Sequence, residues 1–239
     1  MNGPWRVERV ERAHSTQDLV RHRAEDAEPQ GLAIQALCQT GGRGRLGREW
    51  ASPPGNLYVS VLLRPEVRLD RMGELAFVCG LALARGVEPL ARGRDLRLKW
   101  PNDLLLDGRK VAGILIETGL DREEAPYAVA GFGVNVNAPP DGAAGVGVGS
   151  VESVLEALLE ALSDRLILWA RGGFAPVREA WLEKAAGLGC PIRVRTAQGT
   201  TEGVFRTLDP SGALVLEGAG GHVEIVRAGE ILMESSRKP

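Results

Sequence analysis

Apolar and charged side chains alternate from Trp5 to Val10, the period-two pattern of a half-buried strand. Ser15-Thr16-Gln17-Asp18 follows and predicts a helix start, with Ser15 as cap and Asp18 answering it three residues on. Apolar runs from Gly31 to Cys38 and from Asn56 to Leu63 predict two further strands. Asp70 is expected to cap a long apolar-faced helix that reaches about Leu90. Leu96 to Trp100 reads as a strand stopped by Pro101. Leu104-Leu105-Leu106, Asp107-Gly108 and Val111 to Glu117 predict a hairpin, because Asp-Gly suits both positive-φ positions of a type I′ turn. Ala128 to Val136 is a further strand, interrupted by Gly131 and Gly133, and 138–149 is a proline- and glycine-rich loop. Helical periodicity then runs from about Val151 to Trp169 and from about Ala175 to Ala185.

Past Gly187 the texture changes. Ile192 to Thr196, Gly203 to Leu208, Ala213 to Glu217 and His222 to Val226 are four short alternating strands separated by tight turns. Such a stretch predicts a small closed β-barrel, since closure removes exposed strand edges. The fold class is therefore α+β: a sheet with flanking helices over residues 1–187, followed by an SH3-like barrel over 188–239. The tail from Ser235 to Pro239 is expected to fray.

Composition narrows the function. At 239 residues and a net charge of −2, the chain is no general nucleic-acid binder, and any phosphate attraction must be local. No apolar run is long enough to cross a bilayer and no signal core opens the chain, so a cytoplasmic protein is expected. Cys38, Cys79 and Cys190 are far apart and read as thiols of a reducing compartment. His14, His22 and His222 are scattered, so no protein-built metal site is read from the sequence. Of the 29 basic residues only Lys99, Lys110, Lys184 and Lys238 are lysines. Two of these four fall in one motif, which makes them more informative than its arginines.

Candidate chemistry begins at Gly41-Gly42-Arg43-Gly44-Arg45-Leu46-Gly47-Arg48-Glu49-Trp50. Its glycines let backbone amides approach an anion, and Arg43, Arg45 and Arg48 can clamp its oxygens. Residues 42–47 fit G-x-G-x-x-G, but Trp50-Ala-Ser-Pro-Pro-Gly follows where a dinucleotide fold needs a helix to open. An Arg-Gly nucleic-acid element would come as a repeated tract, and this is a single copy. A second motif, Lys99-Trp100-Pro101-Asn102-Asp103, opens the hairpin whose far arm is Lys110-Val-Ala-Gly113-Ile-Leu-Ile-Glu117. The turn brings Lys110 beside Asn102 and Asp103 around one pocket, and Gly113 leaves room for a ligand against the strand. Packing accounts for Leu104, Leu106, Val111, Ile114 and Ile116, but not for the lysines, the Asn-Asp pair and the glycine.

These motifs, followed by Gly131-Phe-Gly-Val-Asn135-Val-Asn137, stand in an order that resembles biotin–protein ligases, from about Ser15 to the C-terminal barrel. The resemblance implies a class II aminoacyl-tRNA synthetase/biotin ligase-like catalytic fold. It implies that biotin's carboxylate attacks the α-phosphorus of ATP to give biotinyl-5′-AMP, and that a lysine of a biotin carboxyl carrier protein then takes the biotinyl group. Lys110 and Arg43 would be catalytic, with Lys110 bridging carboxylate and phosphate. Ser15, Thr16 and Gln39 would hold the biotin head group, together with Gly42, Arg43, Gly44, Arg45 and Gly113. Ser15 and Gln39 also have plain structural uses, as helix cap and strand-end partner. Arg45, Arg48, Trp50, Lys99, Asn102, Asp103 and Asn135 would form the ATP side, with Mg²⁺ arriving with the nucleotide. The glycine–arginine loop would become ordered with ligand.

Gln17 departs from the asparagine that many relatives carry after Ser-Thr, and it is left outside the expected site. The catalytic elements begin near residue 5, which leaves no helix-turn-helix domain before them, so no DNA binding is expected. Homodimerisation stays open. Lipoate or octanoate transfer is the rival reading on the same fold, and a binding module using the barrel is the non-enzyme rival.

Overall fold

The computed structural model describes residues 5–147 and 149–232; the expected fraying of Ser235 to Pro239 lies outside them. The chain runs β1 (Arg6–Ala13), α1 (Thr16–Glu25), β2 (Leu32–Gln39), β3 (Leu57–Leu63), α2 (Leu75–Val87), β4 (Leu96–Lys99), β5 (Asp103–Leu106), β6 (Arg109–Leu120) and β7 (Pro126–Val134). It continues with α3 (Val151–Gly172), α4 (Phe174–Glu183), β8 (Pro191–Thr196), β9 (Gly199–Leu208), β10 (Leu214–Glu217), β11 (Val223–Val226) and β12 (Glu230–Leu232). The first seven strands make one mixed sheet in the order β1-β2-β3-β7-β6-β5-β4, in which β1 and β2 are parallel and the other pairs antiparallel. The last five form an antiparallel sheet, β11-β10-β9-β8-β12. There a four-strand meander is joined by a fifth strand returning beside the first, the connectivity of an SH3-like barrel. This is the predicted α+β architecture, with one strand more: β12 spans only three residues and carries no readable alternation.

Strand parity explains the layers. β3 is buried at every position because helices cover both faces of the sheet. Leu57, Val59, Val61 and Leu63 enter the main core with α2 and α3, whereas Leu62 joins Val20 and Ala24 of α1 on the opposite face. β7 divides in the same way: Ala128, Ala130, Phe132 and Val134 face the main core, and Val129 faces α1. Since side chains alternate, Ser60, Gly131, Gly133, Gly113 and Leu115 fall on the α1 face. Register aligns them, with Ser60 beside Gly131 beside Leu115, and Tyr58 beside Gly133 beside Gly113 beside Asp103. Three adjacent glycines leave that face hollow.

Two helix expectations need correction. Ser15 does occupy the N-cap of α1, but its side chain makes no cap hydrogen bond. The Asp18 carboxylate is instead taken by Arg43 at 2.8 Å through both oxygens, a bidentate charged pair that a cap cannot match. The helix expected from Asp70 begins as a 3₁₀ turn over Leu69–Glu74 and becomes α-helical only at Leu75, after Gly73, a poor helix former. It also ends early, at Val87, because Pro89 has no N–H to continue the ladder and Glu88–Leu90 tightens into a 3₁₀ turn.

The β5–β6 hairpin turns at Asp107 (φ 51°) and Gly108 (φ 73°), the two positive angles of a type I′ turn. Nothing lies within 4 Å of where a Gly108 side chain would begin, so a substitution there tests the backbone alone. Gly108→Val is expected to destabilise the protein by ~1–3 kcal/mol through strain in the left-handed region. The urea midpoint measures this; an unchanged midpoint would mean that the turn does not hold the hairpin.

Candidate active site

A cavity of about 150 Å³ opens over the three glycines, between the start of α1, the glycine–arginine loop, the β5–β6 hairpin and β12. Ser15, Thr16 and Gln39 line one end, as expected. Thr16 and Gln39 are joined there by a hydrogen bond from the Thr16 amide to Gln39 Oε1 at 2.8 Å. Ser15 is buried yet its hydroxyl is free of the cap, which leaves it available to a ligand.

Lys110, on the near arm of β6, reaches across the hairpin to Asp103, with its ammonium 2.7 Å from Oδ1. Lys99 approaches the other oxygen at 3.8 Å. Burial pushes the Lys99 ammonium below the ordinary lysine range, opposed by the Asp103 charge. Asn102 is fastened to the same arm, donating from Nδ2 to Ile114 O at 2.6 Å. Trp50 lies against the hollow, because a Cβ on Gly133 would collide with its indole and one on Gly113 would stand 3.0 Å from it. The Lys110 ammonium sits 5.1 Å from the Trp50 ring centroid, within cation–π range. The indole Nε1 is buried without a partner among the described residues, so this ring keeps a donor unused there.

The arginines of the loop are not equivalent. Arg43 is bound to Asp18, whose carboxyl is held below the usual aspartate range by the hydrogen bond from that guanidinium. Its fork is thus occupied, and Arg43 anchors the loop to α1 rather than presenting a free clamp. Arg48 is bidentate to Glu230 at 2.9 and 2.7 Å, and Arg195 shares that carboxylate at 2.7 Å. Arg45 differs. Among the described residues its guanidinium donates only to neutral acceptors, Asn102 Oδ1 and Gly229 O, both at 3.3 Å, and burial lowers its pKa. An enclosed cation with no carboxylate in hydrogen-bond contact, felt only at a distance by Asp103 and Glu230, attracts an anion into the pocket. The loop expected to await a ligand therefore has anchors of its own, in α1 and in the C-terminal sheet.

Three expected residues stand outside the cavity wall: Gly42, Lys99 and Asn135. Gly42 lies behind the loop, where its carbonyl accepts the Trp50 amide at 2.9 Å. Lys99 acts on the site through its charge, on Asp103 first and on Glu230 after it. Asn135 is 2% exposed and sits behind the hairpin, its amide donating to Val111 O at 2.8 Å and its carbonyl accepting the Val146 amide at 3.0 Å. Conversely, Gln17, Ser60, Gly131 and Glu230 line the cavity and were not expected. Ser60 and Gly131 follow from parity and register once the strand pairing is known. Nothing in the sequence marks Glu230. Among the described residues, no group of three His, Cys, Asp or Glu side chains could hold a metal ion, and no helix is long and apolar enough to cross a membrane.

A mixed sheet hollowed by glycines, with cations of the loop and of the hairpin gathered around the hollow, makes a pocket suited to an anionic ligand. The chain belongs to the Biotin/lipoate A/B protein ligase family, whose description matches residues 10–135, and the Biotin protein ligase C terminal domain matches residues 187–233. It is 40% identical over 216 residues to the biotin–[acetyl-CoA-carboxylase] ligase of Paracoccus denitrificans, covering 83% of this chain and 88% of the relative. It is 32% identical over 229 residues to the bifunctional ligase/repressor BirA of Bacillus subtilis, covering 90% and 70%. Among solved structures, the Aquifex aeolicus biotin protein ligase in complex with biotin and ATP superposes with a TM-score of 0.80 at 27% identity, covering 95% of this chain and 97% of that one.

The Glu230 carboxyl is held down to about 2 from 4.5 by the hydrogen bond from Arg48, with Arg195 assisting. A depressed carboxyl stabilises the fold above its unfolded pKa and loses that contribution as pH falls toward the folded value. The link from loop to C-terminal sheet should therefore be intact above about pH 4.5 and fade toward about pH 2. Urea midpoints of the wild type and Glu230→Gln are expected to differ by a constant amount at neutral pH and to converge under acid. A gap that stays open under acid would contradict the pairing.

Proposed function

We propose that this protein is a biotin–[acetyl-CoA-carboxylase] ligase, which activates biotin with ATP and passes the biotinyl group to a lysine of a biotin carboxyl carrier protein. The observation that carries the reading is the Lys110–Asp103 pair at 2.7 Å on the wall of a glycine-hollowed cavity that Arg45 enters without a carboxylate partner. Two anions must meet there, and a compact ammonium already held in place by a carboxylate can lie between them at little cost in reorganisation. A carboxylate oxygen of biotin forms a bond to the α-phosphorus as the bond to pyrophosphate breaks. The carrier amine then attacks the acyl carbon and AMP leaves with the bridging oxygen. No protein nucleophile is required.

The residues divide the work by position. Ser15, Thr16 and Gln39, at the polar end, suit a cyclic urea, which offers both N–H donors and a carbonyl acceptor. Arg45 and Lys110 meet the phosphate and carboxylate charge, with Arg48 joining them by exchanging Glu230 for phosphate. Trp50 and Asn102 form the adenosine side, and Asn135 supports that side through the backbone behind the hairpin. Mg²⁺ would neutralise nucleotide phosphates when bound. It commonly takes one or two carboxylates plus phosphate oxygens, a donor set that Asp103 beside the phosphates fits. The catalytic unit is taken as 1–187 and the C-terminal unit as 188–239. The polar end and the named relatives both favour biotin over lipoate.

Pyrophosphate release, followed with Mg²⁺ and ATP, is expected with biotin and not with lipoate. Lys110→Ala should lower the rate by ~10²–10³, the scale of losing one positioned transition-state charge. Lys110→Arg should restore little of it, because a planar fork replaces a point charge. Release with lipoate alone would move the substrate to a lipoyl acid, and an unimpaired Lys110→Ala would remove Lys110 from the chemistry.

A further inference from the structure

Gln17 sits in the first turn of α1, 4% exposed, and none of the roles above uses it. Its Nε2 faces two strand carbonyls, donating to Val129 O at 3.1 Å and to Leu115 O at 3.4 Å. Carbonyl oxygens only accept, so the amide cannot flip, and Oε1 must point the other way. There it accepts the Ser60 hydroxyl at 2.9 Å. Gly131 makes the room, since a Cβ on it would stand 2.5 Å from that oxygen.

A hydroxyl has one proton, and this fact carries direction along the network. With the Ser60 proton committed to Gln17, the 2.8 Å contact between Ser60 Oγ and Thr16 Oγ1 requires Thr16 to donate. Gln39 Oε1, 3.2 Å from Thr16 Oγ1, is then left to the closer Thr16 backbone amide at 2.8 Å. Gln39 Nε2 donates to Ser52 Oγ at 3.0 Å, and Ser52 donates to Trp50 O at 2.8 Å. Two of the hydroxyls on the cavity wall, Thr16 and Ser60, thereby keep lone pairs rather than protons for a ligand.

We propose that Gln17 is a positioning residue that fixes the direction of this network from the β6 and β7 carbonyls, making Thr16 and Ser60 acceptors and selecting a ring that presents N–H groups to them. The inference rests on the biotin reading above and deepens it. An asparagine, one methylene shorter, would not span from the strand carbonyls to Ser60 in the same way, so the length of Gln17 is part of the wiring.

The test uses the full chain with biotin and with its cyclic-carbamate analogues, in which one ureido N–H is replaced by a ring oxygen. The wild type should discriminate strongly against an analogue that sets oxygen against oxygen. Gln17→Met keeps the volume and removes the wiring. It should raise KM for biotin by about tenfold, leave KM for ATP within about twofold, and lower the carbamate-to-biotin KM ratio, because the freed hydroxyls can turn. Ser60→Ala breaks the same link at its next member. It should lower the ratio as well, and the double variant should add nothing further. An unchanged ratio in Ser60→Ala, or KM values for biotin and ATP that rise together in Gln17→Met, would overturn the proposal. If Gln17→Met does not fold, Ser60→Ala decides alone. Failure of the functional reading would look different: the wild type itself would release no pyrophosphate with biotin.

Discussion

The whole site depends on a row of missing side chains. Gly113, Gly131 and Gly133 fall on one face of β6 and β7 at adjacent register positions, and any Cβ at 131 or 133 would strike Gln17 or Trp50. Ala112 and Ile114 of β6 and Ala128, Ala130, Phe132 and Val134 of β7 point the other way and pack into the main core. The sheet is thus solid on its α2–α3 face and hollow on its α1 face. That asymmetry lets a cavity exist inside a well-packed protein: period-two geometry sets the glycine row, and a register shift at Leu104 and Leu105 in the β5–β6 pair brings Lys110 to the same cavity as Gly113.

Charge compensation is the second layer, built upon the first. A cavity lined by Arg43, Arg45, Arg48 and Lys110 would repel itself if every cation faced it unpaired. Asp18, Glu230 and Asp103 take three of the four, each at hydrogen-bonding distance. Each pair also fastens an element: Arg43 ties the loop to α1, Arg48 ties it to β12, and Lys110 closes the hairpin. The carboxylates keep the cations in place and set how far each must move to meet a substrate anion. Arg45, bound only to neutral acceptors, needs no such exchange.

Much of this was legible from the residues, and the reasons are physical. The Asp107-Gly108 turn announces itself because few residue pairs accept two positive φ angles, and from it the meeting of Lys110 with Asp103 follows. The strands and the long helices follow from hydrophobic period. Ser60 and Gly131 could not be placed, because their face depends on which strands pair and in what register, which is tertiary information. Glu230 sits on a three-residue strand, too short for a pattern, and its partner Arg48 lies 182 positions away. Gln17 carries no readable signal for the site in the sequence, yet its burial against two strand carbonyls makes it a fixed point of the pocket. Ser15 keeps the N-cap position, but the reciprocal bond expected from Asp18 is missing because its carboxylate is taken by Arg43, again distant in sequence.

The central claim is that cations gathered around a hollow sheet bring a carboxylate to the α-phosphorus of ATP. Biotin labelled with ¹⁸O in its carboxylate, carried through transfer to a carrier lysine, tests it most directly by mass spectrometry of the products. The account predicts one ¹⁸O in AMP and none in pyrophosphate. Label in pyrophosphate, or AMP free of label, would contradict it.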